Sequence, residues 1–188
     1  MPIPEFIVQI REKIGHDPLW IPAVAAIVLR DSADQSAWAV PEVLLVRRAD
    51  NGKWTPITGI ADPGEQPHDA AVREVREETG LDVSAEPLVP VWRYRNVDLT
   101  RGDNYIVDIY HFHLDFDEGD VRLQQREAIG CRLATRAEVD ELARQGVFLH
   151  YERLRQALSA EAHGAPAPAP LDVPPAAPAA PSAPEDRS

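Results

Sequence analysis

Apolar positions along the chain fall into two periodicities, and each predicts a different kind of element. Residues 23–29 (Ala-Val-Ala-Ala-Ile-Val-Leu) and residues 42–48, with their Val-Leu-Leu-Val centre, are short continuous apolar runs. Their length and branched content fit strands buried on both faces. Residues 31–36 between them are turn-like. Residues 54–58 read as a third strand, and 87–95 and 105–116 as two more. The last shows partial alternation through Ile106, Asp108, Tyr110, Phe112 and Leu114. A polar loop, 96–104, joins these two.

Helical spacing appears in four places. Phe6, Ile10 and Ile14 share one face of a segment that stops at Gly15. Ala71, Val72, Val75 and Thr79 form a mostly apolar stripe between Pro67, suited to a first turn, and Gly80, suited to the position just past a C-terminus. Thr135 followed three residues later by Glu138 is a capping box that opens a short helix through Gln145. Val147, Tyr151, Leu154 and Leu158 then repeat at 4, 3 and 4. Strands interleaved with helices predict an α/β class. Residues 1–20 form a helical extension, expected to pack on the sheet or on a second copy as a homodimer. Residues 21–160 form one domain with its own core. Residues 164–188 alternate Ala and Pro with almost no large apolar side chain, so a disordered tail is expected there.

Composition narrows the setting. The net charge of −12 argues against binding nucleic acid backbones, yet permits a small nucleotide substrate held by cations and local bases. The single cysteine, Cys131, excludes an intramolecular disulfide framework. No apolar run approaches the ~20 residues that span a bilayer, and no export signal opens the chain, so no membrane association and a cytoplasmic location are expected.

Candidate chemistry concentrates in residues 59–81, Gly-Ile-Ala-Asp-Pro-Gly-Glu-Gln-Pro-His-Asp-Ala-Ala-Val-Arg-Glu-Val-Arg-Glu-Glu-Thr-Gly-Leu. Glu74, Glu77 and Glu78 are related by steps of three and four, which on a helix places all three within an arc of ~100°. A solvated charged face is the bland reading. Against it, Glu74 and Glu78 are like charges one turn apart, towards the negative end of the helix dipole. A hard divalent cation reverses the sign of that repulsion.

The run from Gly59 to Leu81, with Glu65, Arg73, Glu74, Glu77, Glu78 and Gly80 at their offsets, resembles the signature of the Nudix hydrolases at every defined position. The resemblance implies a three-layer α/β/α sandwich on a mixed sheet. It implies a Mg²⁺-dependent pyrophosphohydrolase, with Mn²⁺ as a substitute, acting on a nucleoside diphosphate linked to another group. It assigns Glu74, Glu77, Glu78 and the carbonyl of Thr58 as metal ligands, and Glu65 with Arg73 as an ion pair that orients the loop. The general base is left between Glu74 and a distal acid. Glu127 is preferred over Glu118 and Asp117, because family members place an acidic residue ahead of an aromatic in that region. Cys131 stands where that aromatic would be.

Two substrate classes remain open, a nucleoside diphosphate sugar such as ADP-ribose and a nucleoside triphosphate, with the lean towards the first. The segment Trp54-Thr55-Pro56-Ile57-Thr58 replaces the Pro-Gly-Gly entry of many relatives and bears on substrate preference. Arg48 and Arg93 are the candidate phosphate clamps, and Trp20 and Tyr94 the candidate base-stacking rings. His68, His111 and His113 read as packing residues. A sensor that binds without cleaving is the alternative from another class. Isomerisation on the same fold would need a reactive cysteine, for which Cys131 is badly placed.

Overall fold

The computed structural model describes residues 3–30, 41–83, 89–98 and 102–162. The turn expected at 31–36, the start of the strand expected at 87–95 and the tail at 164–188 lie outside these residues.

In chain order the elements are α1 (Glu5–Ile14), β1 (Leu19–Arg30), β2 (Glu42–Arg48), β3 (Trp54–Thr55), β4 (Ile57–Ile60), α2 (Pro67–Thr79), β5 (Trp92–Asp98), β6 (Asp103–Leu114), β7 (Ala128–Ala134), α3 (Arg136–Arg144) and α4 (Tyr151–Ala162), with a 3-10 turn at Glu118–Asp120 before β7. They form one mixed sheet in the order β3-β2-β1-β6-β5, with β4 on β1 and β7 on β2. β1 and β6 run parallel from Leu19↔Asp103 to Arg30↔Leu114, and the other pairings are antiparallel.

The continuous apolar run in β1 arises because both faces of the sheet are covered. Val24, Ala26 and Val28 point into a core completed by Ala70, Ala71 and Val75 of α2 and by Tyr110 and Phe112. Ala23, Ala25, Ile27 and Leu29 point the other way, against Val139 and Leu142 of α3 and Leu154 and Ala157 of α4. Helices therefore flank the sheet on both sides, the three-layer α/β/α sandwich.

α1 docks on the chain's own sheet. Ile7 packs with Ile21 and Ile60, and Arg11 Nη2 reaches Asp103 Oδ1 at 2.7 Å.

Four details depart from the pattern-based expectation. The strand expected over 54–58 is two, because Pro56 carries no N–H and the chain leaves β2 there to pair with β1. The loop expected at 96–104 is partly strand, since the β5–β6 hairpin pairs out to Asp98↔Asp103. β7 was not expected, and its partner β2 supplies its order. Finally, the last helix begins at Tyr151, so Val147 contributes to the core from ahead of it.

Candidate active site

α2 starts with Pro67 after an extended Gln66 and closes at Gly80, whose φ of 72° is the left-handed conformation that glycine adopts at least cost. Its apolar stripe packs on β1 and β4. Glu74 and Glu78 share that buried side, with only 7 % and 5 % of their surface exposed, so neither belongs to a solvated face. Glu77 is exposed.

Arg73 ties the preceding loop to the helix. Its Nε and Nη2 reach the two carboxylate oxygens of Glu65 at 2.9 and 3.0 Å, and Nη2 also donates to the carbonyl of Ile60 at 3.1 Å. Its Nη1 donates to Glu74 Oε1 at 2.9 Å and Glu77 Oε2 at 3.2 Å. Glu65 Oε2 accepts the N–H of Asp62 at 2.9 Å, which fixes the loop itself.

Gly59 on β4 is required by contact. A Cβ there would overlap the side chain of Glu74, so the missing side chain is the space that Glu74 fills.

Glu127 is brought in by the segment that precedes β7. The carbonyls of Glu78 and Thr79, at the end of α2, accept the N–H groups of Gln124 at 3.2 Å and Arg122 at 2.7 Å. These bonds pin the segment leading to β7 against the helix, and Glu127 Oε2 is buried. Its charge is felt by both Glu74 and Glu78.

Burial pushes Glu74 up to about 7; Arg73 opposes the shift, while Glu127 and Glu77 add to it. Burial likewise pushes Glu78 up to about 8, helped by Glu74 and Glu127 and opposed by Arg48. Carboxylates that raise one another's proton affinity in this way are a hard oxygen donor set short of positive charge. That chemistry fits a divalent cation.

Among the described residues no three acidic or histidine groups already stand together at metal-binding separations. The hydrogen bonds explain this, since Arg73 Nη1 lies between Glu74 and Glu77. Loading a cation means turning those two oxygens away from Nη1, while Arg73 keeps its Nε and Nη2 bonds to Glu65.

A cavity of about 460 Å³ opens on the other side of Gly59. It crosses four strands in the order β4, β1, β6, β5, a width of roughly 14 Å at normal strand spacing, and α4 borders it. Arg48, Thr58 and Gly59 mark the β4 end, and Tyr94, Asn96 and Arg153 the β5 end. Ala25, Ile27, Val107 and Ile109 make its floor apolar.

Of the residues singled out in the sequence, Glu65, Arg73, Glu74, Glu77, Glu78 and Glu127 come together, and Arg48, Thr58 and Tyr94 line the cavity beside them. Arg48 Nε is held by Asp50 Oδ1 at 2.9 Å. Two others lie outside the lining. Arg93 clasps the buried carboxylate of Asp108, with Nη2 to Oδ2 at 2.7 Å. Trp20 is 46 % exposed at the start of β1, under the Arg95 guanidinium at 4.8 Å.

The other acids serve the fold. Glu118 accepts the N–H of Leu133 at 2.8 Å, and Asp117 pairs with Arg30 at 3.1 Å. His68 is buried edge-on to Tyr110, with ring centroids 5.6 Å apart. Cys131 is partly buried, and burial pushes its thiol up.

Sequence reasoning missed His150 and Arg153, which line the cavity from the start of α4. The one local signal was position, since Arg153 adjoins the stripe residue Leu154.

A family model for the NUDIX domain matches residues 20–157. A MutT-like protein of Streptomyces ambofaciens is 38 % identical over 85 residues, 45 % of this chain and 47 % of that protein. A putative 8-oxo-dGTP diphosphatase of Bacillus subtilis is 40 % identical over 52 residues, 28 % of this chain and 35 % of that one. The chain thus spans less than half the length of these curated relatives. A NUDIX hydrolase structure from Nitrosomonas europaea superposes with a TM-score of 0.58 at 24 % identity, covering 79 % of this chain and 90 % of that one, which is a likeness of fold. With the domain model spanning β1 to α4 and the complete glutamate run on α2, the chain belongs to the NUDIX family.

Proposed function

We propose that this chain hydrolyses a phosphoric anhydride bond in a small nucleotide, a nucleoside diphosphate linked to another group, using Mg²⁺ or in its place Mn²⁺. The observation that carries this reading is the burial of Glu74 and Glu78 on one side of α2, with Glu74 against Gly59, a residue that also lines a cavity of about 460 Å³. Glu74, Glu77 and Glu78, with the Thr58 carbonyl, would hold the cation. When bound, it supplies charge neutralisation on the phosphoryl oxygens and a more acidic water.

The chain's own groups do the rest. Glu65 fixes Arg73, and Arg73 ties the loop through Glu65 and the Ile60 carbonyl to α2, so both are positioning residues. Arg48, beside Glu78 and at the mouth of the cavity, would orient a phosphate. Glu74 or Glu127 would take the proton from water. Glu74→Gln and Glu127→Gln separate them, because the true base variant loses the acid limb of the pH–rate profile while the other keeps it.

A diphosphate sugar such as ADP-ribose is the first substrate class to test. The triphosphate reading is favoured by the name of the Bacillus subtilis relative, an 8-oxo-dGTP diphosphatase. The intact carboxylate set favours catalysis over a sensor. Mg²⁺-dependent hydrolysis of ADP-ribose, nucleotide sugars, dinucleoside polyphosphates and nucleoside triphosphates, with products resolved, tests the reading. AMP with ribose 5-phosphate supports the sugar class, a monophosphate with pyrophosphate supports the triphosphate class, and no turnover of any member contradicts both.

A further inference from the structure

At the β5 end of the cavity, Arg153 is held rigidly by neutral partners. Its Nη1 donates to Tyr94 Oη at 2.8 Å and lies 3.0 Å from His150 Nδ1, and Nη2 donates to Asn96 Oδ1 at 2.9 Å. Its guanidinium carbon sits 4.3 Å from the centroid of the Tyr94 ring. Among the described residues no carboxylate pairs with it.

His150 acts as the acceptor. It adopts a φ of 62°, rare for a residue with a side chain, immediately before α4. Crowding of its ring, then the charges of Arg153 and Arg48, lower its proton affinity. The residue is exposed at its outer edge, and the neutral ring is the form that accepts from Arg153.

A guanidinium carries five N–H bonds, and three are committed. The Nε–H and one Nη2–H are left, and with Asn96 on the Nη2–H nearer Nη1 these two make a side-on fork that matches two adjacent acceptors. Ala25, Ile27, Val107 and Ile109 line the same cavity as Arg153. An apolar floor suits the flat face of a base and penalises a desolvated phosphate. Of the purines, a 6-oxopurine presents O6 and N7 as paired acceptors, whereas adenine puts an amino donor beside N7 and meets the fork donor to donor.

We propose that Arg153, braced by Tyr94, His150 and Asn96, is a specificity-determining residue that reads the O6/N7 edge of a guanine-type base in the cavity. This deepens the nucleotide-hydrolase reading above, keeping its diphosphate-sugar class but replacing the adenine of ADP-ribose by a guanine-type base, and rests on that reading for its meaning in turnover. A guanine at the β5 end leaves its phosphates directed along the cavity towards Gly59 and the α2 carboxylates.

The test is metal-free calorimetry of GMP and AMP on the full chain, with the Mg²⁺-dependent kcat/KM of GDP-glucose against ADP-glucose as the turnover counterpart. The expected result is a guanine preference of about tenfold or more in both. Arg153→Met collapses it by weakening GMP alone, and 7-deaza-GMP, which lacks N7, binds wild type no better than AMP. Equal binding of GMP and AMP overturns the proposal. So does a preference that survives in Arg153→Met, or tight binding of inorganic pyrophosphate that this variant abolishes. If Arg153→Met fails to fold, the 7-deaza comparison decides alone. If neither sugar nucleotide is hydrolysed, the diphosphate-sugar reading fails, while the metal-free ratio still decides the role of Arg153.

Discussion

Gly59 and Glu74 occupy a space that admits one side chain, and this contact fixes where a buried carboxylate stands. Gly59→Ala should displace Glu74 and cost about 1–3 kcal/mol of stability, read in a thermal melt, together with the Mg²⁺ response. Retention of both would show that Glu74 has room to spare. Glu65→Gln leaves Arg73 with a neutral partner in place of a bidentate carboxylate. Activity should fall roughly 10–100-fold with a raised Mg²⁺ requirement, as for other groups that orient ligands without touching the metal. An unchanged Mg²⁺ titration would remove Glu65 from that role. These α2 residues were legible in the sequence because the chemistry is local and the helical offsets alone put the carboxylates on one face. The depth of burial of Glu74 and Glu78 was not legible, since it depends on β4 and on the segment before β7.

The carboxylates make α2 sensitive to pH. Folded Glu74 and Glu78 bind protons more tightly than the unfolded chain, with pKa values of about 7 and about 8 against 4.5. Their stabilising contribution is therefore complete below about pH 4.5 and is lost as pH rises through the folded values. His150 has the opposite sign, because its depressed value makes stability rise as pH climbs to about 6.5, the ordinary imidazole value. From pH 6.5 to 8 the glutamates act alone of these three. Metal-free protein should lose on the order of 1–2 kcal/mol over that interval, a fall of a few degrees in Tm. Mg²⁺ should raise Tm more at pH 8 than at pH 6, where protons compete with it. A Tm that climbs from pH 6.5 to 8 in EDTA would contradict the assigned shifts. At this scale β7 shows why local pattern fails. Ala-Ile-Gly-Cys-Arg-Leu-Ala has weak alternation and a glycine, and it becomes a strand by pairing with β2. The break at Pro56 likewise follows from two different partner strands.

Across the whole molecule, the parallel β1–β6 pairing and the two helical layers set α2 on one face of the sheet and the cavity on the other, joined through β4. The layer architecture could be inferred from the alternation of strands and helices and from the family resemblance. The cavity could not, because Tyr94 and Arg153 meet only through the β5–β6 register and the docking of α4. None of the described helices is long and apolar enough to cross a membrane. The central claim is that the buried carboxylates of α2 hold the cation that drives hydrolysis. The most direct test is nucleotide hydrolysis by wild type and Glu78→Gln in Mg²⁺ and in EDTA, with folding of the variant checked by its melt. The account predicts turnover by wild type in Mg²⁺ only, and a loss of roughly a hundredfold or more in a folded Glu78→Gln. Equal turnover by the two proteins, or turnover by wild type that persists in EDTA, would contradict it.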